Sequence, residues 1–256
     1  MHVRAKKRLG QHFLTDPHLA EKIVEGIKSY KEGLGVLEVG PGKGILSQFL
    51  IPKFKEHFLA VDIDEEAIEF LHHEYPESVH QIRRGDFLEN TTQLLGKSEW
   101  IIIGNFPYNI SSQIVFRVLE NRTQVIEMVG MFQKEVADRF RAKASTKEYG
   151  ILSVLVQAFY KVDYLFSVKP GSFYPPPKVN SGVVRFTRKT NFSLGCDEKA
   201  FFKVVKAGFN QRRKTLRNAL GGDFPKIREA GAPFYQLRAE ALSVEDFIQL
   251  TQFLQS

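Results

Sequence analysis

Between Gly35 and Lys143 short apolar runs alternate with helical patterns, and the runs stop on residues that carry chemistry. Val36–Val39 leads into Gly40-Pro41-Gly42-Lys43-Gly44, and Phe58–Val61 ends at Asp62. Val79–Arg83 ends before Gly85-Asp86, and Glu99–Gly104 runs into Asn105-Phe106-Pro107-Tyr108. A further run, Val125–Met131, follows. Helical patterns fill the gaps: after the glycine loop through Lys55, over Glu65–His73, and over Ile110–Glu120. This βαβ alternation predicts an α/β fold, a mostly parallel sheet with helices on both faces. Ligands of such sheets bind at the carboxyl ends of the strands, near the switch in strand order. The glycine loop, Asp62, Asp86 and Asn105 all fall at predicted carboxyl ends, which random placement would rarely achieve.

Beyond Gly150 a helix and two β-rich segments, Val162–Val168 and Gly182–Arg188, flank the loop Gly171-Ser172-Phe173-Tyr174-Pro175-Pro176-Pro177-Lys178. After Asn191 the pattern is helical, with candidate helices over Glu198–Gly208, Arg212–Leu220, Phe224–Ala230 and Val244–Leu254. Ser243 reads as an N-cap, with Asp246 in a capping-box position. The expected division is a sheet domain over residues 1–190, with a basic N-terminal arm, and a small helical domain over 191–256. A hydrophobic content of 43% and 22 Phe supply ample core. No apolar run approaches the ~20 residues that span a bilayer. The basic N-terminus is followed by no apolar stretch and does not read as a secretory signal. The single Cys196 forbids an internal disulfide and a Cys-rich zinc site, which fits a reducing, cytoplasmic location.

The charge is uneven. Net charge is 36 − 29 = +7. One basic cluster is Arg4, Lys6, Lys7 and Arg8, and a second runs through Lys199, Lys203, Lys206, Arg212, Arg213, Lys214 and Arg217. Phe201, Phe202, Phe209 and Leu216 interleave the second cluster, as in a helix with one face buried and the other on phosphates. A polyanionic partner is expected, nucleic acid rather than membrane.

Glycines at 40, 42 and 44 depart from the dinucleotide fingerprint, whose third glycine lies one residue further on. The tighter turn suits a ligand that passes close to the backbone without a diphosphate. Asp62 can accept from both hydroxyls of a ribose. Asp86-Phe87 can hold an adenine, the carboxylate accepting from its amino group and the ring flanking it. In Asn105-Phe106-Pro107-Tyr108 an amide oxygen, a fixed backbone and a flat ring together can grip a planar base bearing an exocyclic amine. Each feature has an ordinary alternative: a turn, an N-cap, a core aromatic. Four in register along one sheet are hard to explain that way.

These residues together resemble the Rossmann-like S-adenosylmethionine-dependent methyltransferases, and Asn-x-Pro-Tyr resembles their adenine-N6 branch. Lys6-Lys7-Arg8-Leu9-Gly10-Gln11-His12-Phe13-Leu14, Gln133-Lys134-Glu135-Val136, Tyr149-Gly150-x-Leu152-Ser153, Phe173-x-Pro175-Pro176-Pro177-Lys178-Val179 and Phe209-x-Gln211-Arg212-Arg213-Lys214 narrow the resemblance to the small-subunit (16S) ribosomal RNA adenine N6,N6-dimethyltransferases. The resemblance covers nearly the whole chain. It departs from the commonest pattern at Asp62, where Glu is usual, and at Phe106, where Leu or Ile is usual; His12 stands where Asn or His occurs.

The resemblance implies a seven-stranded, mostly parallel sheet with an antiparallel edge element and a C-terminal helical domain. It implies S-adenosylmethionine as cofactor, no metal, and dimethylation of two adjacent adenines in the 3′-terminal hairpin loop, within a pre-30S particle. His12, Leu14, Gly40, Gly42, Asp62, Asp86, Phe87 and Asn105 would hold the cofactor. Asn105, Phe106, Pro107 and Tyr108 would hold the target base from one side and Phe173 from the other. Arg4, Lys6, Lys7, Arg8, Lys178, Arg212, Arg213 and Lys214 would contact RNA. A monomer is expected. The alternatives are a large-subunit RNA methyltransferase, a ribosome-assembly factor whose catalysis is secondary or lost, and a nicotinamide oxidoreductase. The Phe-x-Gln-Arg-Arg-Lys run disfavours the first, intact Asp62, Asp86 and Asn105 disfavour lost catalysis, and the glycine spacing disfavours the last.

Overall fold

The computed structural model describes residues 3–191 and 193–256, and for Lys7 the backbone alone. Among the described residues nine strands are β1 (Phe13–Leu14), β2 (Gly35–Val39), β3 (Phe58–Asp62), β4 (Ile82–Arg84), β5 (Trp100–Asn105), β6 (Val125–Gln133), β7 (Tyr160–Val168), β8 (Phe173–Tyr174) and β9 (Ser181–Arg188). The α-helices among the described residues are α1 (Pro17–Val24), α2 (Ser47–Phe54), α3 (Glu65–Glu74), α4 (Phe87–Leu95), α5 (Ser111–Glu120), α6 (Lys134–Phe140), α7 (Ile151–Phe159), α8 (Glu198–Asn210), α9 (Leu216–Leu220) and α10 (Val244–Gln255).

Seven strands form one sheet in the order β4-β3-β2-β5-β6-β9-β7. The pairs β3·β4, β2·β3, β2·β5 and β5·β6 are parallel, and β6·β9 is antiparallel. Strands covered on both faces read as continuous apolar runs. Val36, Leu37, Ile101, Ile102 and Ile103 are accordingly fully buried. The chain leaves β2 toward β3 and β4 on one side, then returns to β5 on the other. The carboxyl ends of β2 and β5 therefore flank the switch point, and Gly40 and Asn105 sit there.

The chain divides into two compact units, Met1–Ala137 with Asp163–Arg188, and Asp138–Val162 with Lys189–Ser256. The second unit thus takes in residues 138–162, which the sequence reading places with the sheet. Contacts of that segment account for it: Phe159 packs edge-on to Phe201 with ring centroids 6.5 Å apart, and the Tyr149 hydroxyl donates to the Leu242 carbonyl at 2.7 Å. At the start of α10 the Ser243 and Asp246 side chains accept reciprocally from each other's backbone N–H, at 3.1 and 2.9 Å.

Three expected elements are shorter or displaced. Residues expected to begin the third strand form a 3₁₀ turn, Pro76–Gln81, and β4 starts only at Ile82. Pro76 occupies the first position of that turn and favours it over a strand. Arg212–Leu220 is helical only from Leu216, because Arg212–Lys214 form a turn closed by Lys214 N–H to the Gln211 carbonyl at 2.8 Å. Phe224–Ala230 contains a single 3₁₀ turn, Pro225–Arg228.

Candidate active site

A cavity of about 250 Å³ opens at the carboxyl ends of β2, β3 and β5, roofed by the N-terminal arm. Gly40, Gly42, Asp62, Asp86, Asn105, Phe106, Pro107 and Tyr108 line it, and so do Arg8, His12 and Leu14. Residues the sequence places at four separate strand ends thus meet at one cavity.

The glycine loop is tight. Gly42 has φ +54, and a Cβ there would stand 2.8 Å from the Phe13 ring of β1. A side chain would strain the backbone and push the arm off the loop. Gly42 N–H donates to Asp62 Oδ2 at 3.1 Å, and Asp64 N–H donates to Asp62 Oδ1 at 2.9 Å. Each Asp62 oxygen keeps acceptor capacity facing a cavity ligand. Burial pushes the Asp62 carboxyl up, opposed by these N–H bonds. Asp86 Oδ1 accepts from Leu88 N–H at 2.8 Å and caps α4 while lining the cavity.

The arm is pinned at several points. Lys6 Nζ lies 2.6 Å from Asp64 Oδ1 and 3.0 Å from Glu66 Oε1, and Gln11 Nε2 donates to Asp64 Oδ2 at 3.2 Å. Burial raises the Asp64 carboxyl, but the Lys6 and Gln11 hydrogen bonds outweigh it and hold it below its usual range. Val3 is buried with Phe13 against Ala67 of α3. Lys6 is therefore committed to the arm rather than free for a phosphate. Lys7 was also expected to contact RNA, and its side chain lies outside the described residues. Arg4 and Arg8 are exposed.

At the end of β5 the Asn105 Nδ2 donates to the His12 carbonyl at 2.8 Å. A carbonyl can only accept, so this bond fixes which end of the amide is nitrogen. The Oδ1 is left as an acceptor in a residue that lines the cavity. Phe106 is buried at the base of the turn, its ring 5.2 Å from that of Phe132. The Tyr108 hydroxyl shares a 2.5 Å hydrogen bond with Ser181 Oγ, and its ring centroid lies 5.4 Å from that of His12.

Two expected aromatics are elsewhere. Phe87 is 4% exposed and does not line the cavity. As the first residue of α4 it turns into the core, and Leu88 faces the ligand space instead. Phe173 is also 4% exposed and packs in the core cluster of Leu14, Val168 and Val183. In β8 successive side chains alternate, so Phe173 points inward and Tyr174 outward. In the second unit the Arg212 guanidinium donates to the Tyr149 carbonyl at 3.1 Å and lies 3.6 Å from Glu240, whereas Arg213 and Lys214 are exposed in their turn. Lys178 is exposed in the first unit.

Sequence reasoning missed Glu38, Ile63 and Leu88, all in the cavity wall. Glu38 carries a signal in hindsight, being an acid inside an otherwise apolar strand. It is 1% exposed, and Ser47 Oγ donates to its Oε2 at 2.6 Å. Burial, and less so the neighbouring Asp62, push its carboxyl up to about 8 against the Ser47 bond. An acid raised in the folded state stabilises below its unfolded value near 4.5 and loses that contribution as pH rises through about 8. The ligand-free protein should therefore melt progressively lower between those values. In Glu38→Gln the fall should be shallower, and an unchanged slope in thermal melts would count against this role.

A family model described as ribosomal RNA adenine dimethylase matches residues 2–256. The chain belongs to that family. The enzyme is thus an S-adenosylmethionine-dependent ribosomal RNA adenine dimethyltransferase. Among similar proteins is the ribosomal RNA small subunit methyltransferase A of Cytophaga hutchinsonii, 52% identical over 255 residues and 98% of both chains. The protein of the same name from Flavobacterium johnsoniae is 51% identical, over 99% of this chain and 97% of that one. Among solved structures, a dimethyladenosine transferase from Plasmodium falciparum superposes with a TM-score of 0.74 and 26% identity, over 93% of this chain and 96% of that one.

Proposed function

We propose that the enzyme dimethylates N6 of two adjacent adenines in the 3′-terminal hairpin loop of small-subunit ribosomal RNA, within a pre-30S particle. The observation that carries this reading is the Asn105 amide, anchored through Nδ2 on the His12 carbonyl so that Oδ1 is the acceptor at the cavity. The names of the full-length relatives support the small subunit as substrate.

The residues present fit the cofactor. A Cβ at Gly40 would meet nothing within 4 Å, so the loop leaves open space beside its backbone. Asp62 offers acceptors to ribose hydroxyls and Asp86 one to an adenine amine, with Ile63 and Leu88 as apolar walls. His12, Leu14 and Gly42 close the other side. When bound, the cofactor supplies a methyl group on a positively charged sulfonium. A cation in the cavity favours the ionised form of Glu38. Phe87 supports this wall from behind as a core residue.

The target adenine is swung out of its RNA context into the cavity. Tyr108, held by Ser181, gives its face to the base. Asn105 Oδ1 and a backbone carbonyl of the Asn105–Pro107 turn accept from N6, drawing its lone pair out of the ring and toward the methyl. Phe106 and Pro107 fix these acceptors, and preorganised acceptors cost no reorientation at the moment of reaction. The N6 proton acidifies as the new bond forms and leaves to water, so the scheme needs neither a strong base nor a metal. Phe173 supports the rim from within the core. Arg4, Arg8, Lys178, Arg213 and Lys214 contact phosphates, while Lys6 and Arg212 act mainly in folding. The enzyme works as a cytoplasmic monomer.

The test is methyl transfer from labelled S-adenosylmethionine to small subunits lacking the modification, with large-subunit RNA and duplex DNA in parallel. Incorporation into small-subunit RNA alone is the expected result. Preference for large-subunit RNA would replace the substrate assignment, and tight binding to small subunits without transfer would favour an assembly role.

A further inference from the structure

The two aromatics of β8 face opposite ways: Phe173 is 4% exposed and Tyr174 is 66% exposed. A large ring held in solvent on a paired strand has no packing role there. The segment that carries it is tied to the cavity rim by three contacts. Tyr174 lies opposite Phe13 in the β1·β8 pair. The Pro175 carbonyl is 2.7 Å from His12 Nδ1. The Tyr108 hydroxyl meets Ser181 Oγ just past the loop. On the same loop Val179 is 47% exposed and Lys178 is exposed. The rim therefore offers a flat aromatic face, an apolar side chain and a cation within a few residues. Proteins that hold unpaired nucleic acid combine such elements, rings for bases and cations for the backbone.

We propose that Tyr174 is a stacking platform for the unpaired RNA base next to the adenine in the cavity, with Lys178 on the adjoining phosphate. The inference rests on the RNA substrate proposed above. Tyr174 is a positioning residue, since it does not line the cavity in which the reaction takes place. A flipped base has lost its stacking on both neighbours, and a surface that captures one neighbour offsets part of that loss. With two adjacent targets, the platform would hold one adenine while the other reacts.

The experiment uses an RNA hairpin with two adjacent loop adenines, in which 2-aminopurine replaces either one, and the full-length enzyme. Stacking on Tyr174 should quench the fluorescence of the base beside the target. In Tyr174→Ala the quench should be lost. KM for the unsubstituted RNA should rise about 10-fold, as removal of one base–aromatic stack predicts, with kcat at saturating RNA within about twofold. Tyr174→Phe and Tyr174→Trp should retain both properties, which a merely structural role of the hydroxyl would not allow. Because the side chain is exposed, all three variants should melt like the parent. Unchanged quench and KM in Tyr174→Ala, or no quench in the wild type, would overturn the proposal while methyl transfer to RNA still stood. Quench without any methyl transfer by the wild type would instead overturn the proposed reaction and leave the platform.

Discussion

Replacing Asn105 with Ala should lower kcat for methyl transfer by about 10²–10³, as loss of one positioned transition-state hydrogen bond does. The KM for RNA should change little, because Tyr108 and its Ser181 anchor remain. Asp is an informative second variant. It keeps an oxygen acceptor but replaces the Nδ2 donor with an oxygen facing the His12 carbonyl, so the arm loses this one of its anchors and the two acceptors repel. Single-turnover kinetics on small subunits would separate the chemical step from binding. Turnover near that of the parent in Asn105→Ala would remove the amide from the chemistry.

Replacing Gly130 with Ala should destabilise the protein by about 3 kcal/mol, at the upper end for overpacking a closed core. In a strand, Gly to Ala usually helps by reducing the freedom of the unfolded chain, so the sign itself is informative. Gly130 of β6 lies beside Gly104 of β5, and a Cβ on Gly130 would run into the rings of Phe106 and Phe132. A Cβ on Gly104 would stand 2.6 Å from the Val39 carbonyl oxygen and 2.7 Å from the Phe106 ring. The two glycines make the space in which the Phe106 ring sits. The added methyl would push Phe106 and carry Asn105 and Pro107 with it, so activity should fall along with stability. Phe106→Leu should relieve the clash, and the double variant should be more stable than Gly130→Ala alone. Additive losses in chemical denaturation, or a Gly130→Ala variant as stable as the parent, would refute this coupling.

The parts of the site legible in the sequence were those fixed by strand ends. Where a strand stops, the next residues lie at the rim of the sheet, and Gly40, Asp62, Asp86 and Asn105 are all placed by that rule. The mostly parallel sheet followed as well, because βαβ alternation calls for it. Less legible was everything decided by which way a side chain turns. Phe87 and Phe173 are aromatics at the right sequence positions, but one opens a helix toward the core and the other takes the inner face of a two-residue strand. Charge was legible as a total and not as an assignment. Lys6 is consumed by Asp64 and Glu66, and Arg212 by the Tyr149 carbonyl and Glu240. Such pairings join residues far apart in the chain, and a basic cluster read along the sequence cannot reveal them. The helix expected at Arg212 failed for a related reason, since backbone and guanidinium there serve a turn and a distant carbonyl.

The most direct test of the account is the chemical position of the transferred methyl groups. Small subunits lacking the modification would be incubated with the enzyme and S-adenosylmethionine, and the RNA digested to nucleosides for mass spectrometry. An amide oxygen fixed at the end of β5 to accept from an exocyclic amine predicts N6-methyladenosine as intermediate and N6,N6-dimethyladenosine as product. Methylation at a ring nitrogen or carbon of adenine, or on another base, would contradict the role given to Asn105 and with it the reading of the cavity.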